Sequence, residues 1–172
     1  SWLITGGSGQ LGIAVSQELD RLGIAYDAWS SKDLDITQSS RVSETIEKLT
    51  PSVIVNCAAW TDVDGAESNR DAAFEVNGVG VANLARASAQ AAAILVHVST
   101  DYVFSGQADQ PWPEDAPIDP QSVYGHSKAA GELAIGSIYR ERSYIVRTAW
   151  LYSEFGKNFA KTMCNLAISS DK

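Results

Sequence analysis

Trp2-Leu3-Ile4-Thr5-Gly6-Gly7-Ser8-Gly9-Gln10-Leu11-Gly12 decides the fold. A short apolar run that stops at glycines reads as a buried strand. Beyond the glycines, Leu11, Val15, Leu19 and Leu22 recur at helical spacing, and Gly23 closes the run. Residues 24–29 form a second strand candidate. Strand, glycine turn, helix and strand make one βαβ unit, whose crossover is right-handed.

The glycines fall as Gly6-x-x-Gly9-x-x-Gly12. The first permits a tight turn, and the second lets backbone approach a pyrophosphate. The third lets helix pack on strand, while the helix N-terminus offers N–H groups to phosphate. A flexible connection would also be glycine-rich, but the position between strand and helix favours nucleotide binding. No Gly-Lys-Ser/Thr follows, so this is not a P-loop. After the second strand, an NAD site usually offers a carboxylate to the ribose. Here Ser30-Ser31-Lys32 stand instead. They suit a 2′-phosphate, which favours NADP(H) over NAD(H), although a plain polar turn has the same composition.

The rest of the chain repeats the alternation. A helix over 40–49 ends at Pro51, and a strand over 53–55 runs into Asn56-Cys57-Ala58-Ala59. These small residues leave room for a flat ring or for close packing. Asp62, Asp64 and Glu67 fit an acidic helix start better than a metal site. A long helix is expected over 71–90 and a strand over 94–98, with His97 packed in the core. Ser99 and Thr100 follow at the strand's carboxyl end, where a doubly wound sheet binds ligands. Residues 105–122 hold Pro111, Pro113, Pro117 and Pro120 and cannot form a regular element. A loop of that length is usually functional. A helix beginning at Tyr124, a strand over 144–147 and a helix over 158–168 complete an α/β, Rossmann-like, doubly wound parallel sheet.

Bulk properties narrow the function. With 172 residues, 45% hydrophobic and 20% charged, the chain suits one soluble domain. A net charge of −8 argues against nucleic acid or an anionic membrane as main partner. Cys57 and Cys164 are too far apart in sequence for metal-ligand spacing, and they form no disulfide framework. No stretch approaches the roughly 20 apolar residues of a membrane span. Trp2-Leu3-Ile4 is too short for a signal peptide, so the expected location is cytoplasmic.

Val123-Tyr124-Gly125-His126-Ser127-Lys128 carries the chemistry. Positions i and i+4 of a helix share a face, so the phenol and the ammonium point into one cleft. A positive charge about 4 Å away favours the phenolate by about 1–4 kcal/mol, lowering the tyrosine pKa by roughly one to three units. Alone, Tyr-x-x-x-Lys is more often a solvated helix face.

Taken together, the glycine turn, Ser99-Thr100, Tyr124 and Lys128 resemble the extended short-chain dehydrogenase/reductase superfamily. More narrowly, Val55-Asn56-Cys57-Ala58-Ala59-Trp60-Thr61-Asp62, Ser99-Thr100-Asp101-Tyr102-Val103-Phe104, Arg147-Thr148-Ala149-Trp150 and Asn158-Phe159-Ala160-Lys161-Thr162-Met163 resemble the dTDP-4-dehydrorhamnose reductase family. The resemblance implies reduction of the 4-keto group of dTDP-4-dehydro-L-rhamnose by NADP(H), with NAD(H) the alternative. It also implies roles. Gly6, Gly9, Gln10 and Leu11 cradle the pyrophosphate, and Asp35 and Ile36 flank the adenine. Ala58, Ala59 and Thr61 line the cofactor's inner half. Thr100 holds the carbonyl, Tyr124 donates the proton, and Lys128 lowers the tyrosine pKa and binds ribose. Tyr102 and Trp150 touch the sugar, and Asn77 gives support. The family carries a further substrate segment that this chain lacks, so residues 1–172 are expected to be a cofactor domain of a longer reductase. Such a domain can bind cofactor without turnover. Ala14 stands where some members carry a metal-binding acid, so no metal is expected, and a homodimer is left open. A dehydratase would need an acidic pair after the threonine, whereas Asp101 is followed by Tyr102. A 4-epimerase or a regulatory subunit is the remaining alternative.

Overall fold

The computed structural model describes residues 1–169. Five strands, β1 (Trp2–Thr5), β2 (Tyr26–Trp29), β3 (Val53–Asn56), β4 (Ile94–Thr100) and β5 (Ser143–Thr148), form one sheet in the order β2-β1-β3-β4-β5. Every neighbouring pair is parallel. The winding direction reverses between β1 and β3, so the loops leaving these two strands diverge and open a crevice at their carboxyl ends.

The strands are nearly continuous apolar runs because both faces are covered. Leu3, Ile54 and Leu95 point to one face, where they meet Val42 and Ile46 of α2 (Ser39–Leu49), Leu84 of α5 (Val81–Gln90) and Ile135 of α6 (Val123–Ile138). Their neighbours Ile4, Val55 and Val96 point to the other, against Val15 and Leu19 of α1 (Gln10–Leu22). The period-two alternation of a strand thus splits one sequence run between two cores. Each fully buried Leu or Ile adds about 1.5–3 kcal/mol.

The expected helix over 71–90 is interrupted. After α3 (Val63–Ser68), a short α4 (Arg70–Phe74) passes into a π-helical turn over Glu75–Gly80 and then α5. The cause is tertiary. Fully buried Asn77 accepts from Trp60 N (2.9 Å) and donates to Trp60 O (3.1 Å) and Ser127 Oγ (2.9 Å). The widened turn holds its amide against both partners, as π-bulges commonly do beside functional sites. Asp62 caps α3, accepting from Gly65 N at 3.0 Å, and Glu67 accepts from Val123 N at 2.8 Å. The acidic cluster therefore starts one helix and ties it to another.

Residues 105–122 contain no helix or strand, as expected, and none of them lines the crevice. Phe104 stacks on Trp112 at 4.8 Å, and Arg147 lies over Phe104 at 4.9 Å while donating to Glu114 O at 2.9 Å. Arg147 is itself held by Glu132, Nη2 to Oε2 2.7 Å, whose carboxylate is buried. The last helix, α7 (Phe159–Ser169), buries no residue, and β5 leaves Tyr144 and Val146 exposed. Among the described residues no helix is long and apolar enough to cross a membrane.

Candidate active site

The crevice at the β1/β3 divergence is a cavity of about 710 Å³. Its first wall is the glycine turn. Gly6 has φ +68°, and a Cβ there would stand 2.6 Å from Ala58 N on the loop after β3. Gly12 is buried, and a Cβ on it would strike Gly6 O. The two glycines therefore let α1 sit against its own strand while the neighbouring loops touch. Gly9 precedes α1 and brings no side chain to cap it, which leaves first-turn N–H groups for an anion.

The second wall is α6. Ser122 caps it, accepting from Gly125 N at 3.0 Å, and this sets the rotation that turns Tyr124 and Lys128 inward. Both line the cavity, with Thr100 and Tyr102 from the end of β4. Tyr102 meets Tyr124 edge to face at 5.6 Å. Thr100 Oγ1 donates to Asp101 Oδ1 (3.1 Å) and accepts from Tyr102 N (3.2 Å), so its hydroxyl is held in place.

Burial dominates the electrostatics of this wall. Burial pushes the Tyr124 phenol above its ordinary value; the Thr100 hydroxyl opposes that, and the Asp101 carboxylate adds to it. Lys128 Nζ donates to Val98 O at 2.7 Å, which holds the ammonium toward the strand. Lys128 is 2% exposed, and burial brings its own pKa down to about 8, against the opposing pull of Glu132. Cys57, also in the lining, is pushed up to about 12 by burial.

Below the cavity lies a chain of polar groups. Thr5 Oγ1 donates to Asn56 Oδ1 (2.7 Å), which also accepts from Ala58 N (3.1 Å). The Asn56 amide nitrogen must then face His97 Nδ1 at 2.9 Å as donor, which puts the imidazole proton on Nε2. His97 is fully buried, as expected of a core residue, and burial holds its pKa well below the ordinary value.

Of the residues singled out from sequence, Gly6, Gly9, Gln10, Leu11, Ser31, Asp35, Ile36, Ala58, Ala59, Thr61, Thr100, Tyr102, Tyr124, Lys128 and Trp150 all line this one cavity. Lys32 does not. Its turn is built by Asp33 Oδ2 accepting from Ser30 Oγ (2.6 Å) and Ser30 N (3.0 Å), which leaves Lys32 outside the lining. Asp35 Oδ1 accepts from Thr37 N at 3.0 Å, and that bond, with the Thr37 hydroxyl, holds its pKa low. Asn77 acts from behind, through Trp60 and Ser127. Trp150 takes φ +53°, a rarely populated conformation for a large side chain, and is 66% exposed against Phe159. Sequence reading missed Lys157 in the lining, since no periodicity marks it.

A parallel α/β sheet with a glycine crook, a threonine at the end of β4 and a Tyr-x-x-x-Lys helix on one cavity define a doubly wound, Rossmann-like dinucleotide-binding class of domain. Within that class, the chain belongs to the family described as RmlD substrate binding domain, which matches residues 1–172. The dTDP-4-dehydrorhamnose reductase of Streptomyces griseus is 46% identical over 170 residues, 99% of this chain and 56% of that protein. A crystal structure of a dTDP-4-dehydrorhamnose reductase from Clostridium acetobutylicum superposes with TM-score 0.95 at 42% identity, covering 99% of this chain and 60% of that one. One from Bacillus anthracis, in complex with NADP, does so with TM-score 0.94 at 40% identity, covering 98% and 59%. The chain thus spans a little over half the length of the curated relatives it matches.

Proposed function

We propose that the chain is the cofactor-binding and proton-donating part of a reductase that converts dTDP-4-dehydro-L-rhamnose to dTDP-L-rhamnose with NADPH. The observation that carries this reading is that the glycine crook, Thr100, Tyr124 and Lys128 line one cavity. A dinucleotide fits the residues present: uncapped N–H groups of α1 suit its pyrophosphate, and Ala58 and Ala59 leave space for its rings. When bound, NADPH supplies the hydride. The chain's own residues do the rest. Thr100 Oγ1 swings its proton from Asp101 to donate to the C4 carbonyl oxygen and so orients it. Tyr124, kept protonated at neutral pH by its burial, gives its phenolic proton to that oxygen as negative charge develops there. Lys128 fixes the ribose and, as a cation below about pH 8, stabilises the phenolate left behind. Tyr102 and Trp150 border the sugar. A cytoplasmic setting belongs to the same proposal.

The test is NADPH oxidation by the full-length protein given the 4-keto sugar nucleotide. Tyr124→Phe should bind NADPH normally and lose at least about 100-fold in turnover. Wild-type rates in that variant would remove the proton-donor role.

A further inference from the structure

The cavity lining holds two basic residues among those described, Lys128 and Lys157, beside two acidic ones, Asp35 and Asp101. Lys128 is committed to Val98 O on the floor. Lys157 is exposed and makes no hydrogen bond or ion pair among the described residues. It is nevertheless placed by a built loop. Ser153 Oγ donates to Phe155 O (3.0 Å), Asn158 Nδ2 donates to Ser153 O (2.8 Å), and Lys161 Nζ donates to Glu154 O and Gly156 O. That loop is pinned to the start of α1. Gln10 Nε2 donates to Leu151 O (3.0 Å), and Gln10 Oε1 accepts from Asn158 Nδ2 (3.3 Å). Gly156, the residue before Lys157, lies against Gln10, where a Cβ would come within 3.3 Å of its side chain. An unpaired ammonium is thereby carried to the rim of the wall whose N–H groups already favour an anion. In a chain of net charge −8, such a cation has one evident use.

We infer that Lys157 is a diphosphate-binding residue, closing over the glycine crook from the segment after β5. This rests on the proposed function and assigns a cation to its ligand. Two ligands of that site carry a diphosphate, the dinucleotide cofactor and the sugar nucleotide, and separate titrations tell them apart.

Full-length wild type, Lys157→Ala and Lys157→Arg are titrated calorimetrically with NADPH and with dTDP. Lys157→Ala should bind one of them about fivefold more weakly, as loss of a partly exposed ion pair implies. Lys157→Arg should stay within about twofold of wild type, since it keeps the charge. The gap should narrow from low to high salt, which a loss of packing would not do. Weakening confined to NADPH assigns the cofactor pyrophosphate, and weakening confined to dTDP assigns the substrate diphosphate. Wild-type binding that Lys157→Ala leaves unchanged for both ligands overturns this inference and spares the proposed function. Wild type that binds neither overturns both.

Discussion

Replacing Lys128 by Met should disable the site and stabilise the fold. Lys128 is almost fully buried, and its pKa falls from 10.5 to about 8, chiefly through loss of hydration. At about 1.36 kcal/mol for each pH unit, holding that ammonium inside costs the folded state about 3 kcal/mol near neutrality. Methionine matches its length and adapts to irregular space. The variant gives up the hydrogen bond to Val98 O, worth about 1 kcal/mol net, so it should gain about 2 kcal/mol. Urea unfolding at pH 7 measures this directly. The sign of the pH dependence follows from the direction of the shift. Between pH 8 and 10.5 the unfolded chain still holds the proton that the folded chain has released, so wild-type stability rises with pH across that window. The methionine variant has no such group, and its advantage should close by about pH 10.5. A variant less stable than wild type at pH 7, or a gap indifferent to pH between 8 and 10.5, would refute the reasoning.

Two glycines at positive φ separate local strain from collision. Gly23→Ala should cost about 1–2 kcal/mol, since nothing lies within 4 Å, whereas Gly6→Ala should cost about 1–3 kcal/mol more through its overlap with Ala58 and should weaken NADPH binding; equal losses in urea unfolding would contradict this. Arg147→Met leaves the Glu132 carboxylate buried without its partner and should destabilise by about 3 kcal/mol. Adding Glu132→Gln should recover part of that loss, and a double variant as unstable as the single would show the pair is not what matters.

Much of this was legible because the relevant signals are local. The βαβ unit follows from the apolar run, the glycines and the 3.6-residue period that ends at Gly23. Asp62 reads as a helix start and acts as one, and His97 reads as a core residue and is one. What sequence did not disclose depends on partners distant in the chain. The π turn forms because Asn77 answers Trp60 and Ser127, and no propensity of residues 75–80 announces that. The Tyr124–Lys128 spacing correctly put both groups in one cleft, but it could not reveal that a strand carbonyl would take the ammonium. The length of the 105–122 loop suggested function, but its length could not reveal that Phe104 and Arg147 would tether it. Lys157, a single lysine in a polar loop, becomes notable only once Gln10 is seen to hold the residues on either side of it.

The tie from Gln10 to Leu151 and Asn158 spans more than 140 positions of sequence. Domains emerge from the ribosome N-terminus first, so the glycine crook is synthesised well before the loop that closes it. A nascent polypeptide that has not yet reached Asn158 carries the crook with one side open. Cofactor therefore meets a complete seat only after nearly all of these residues have been translated.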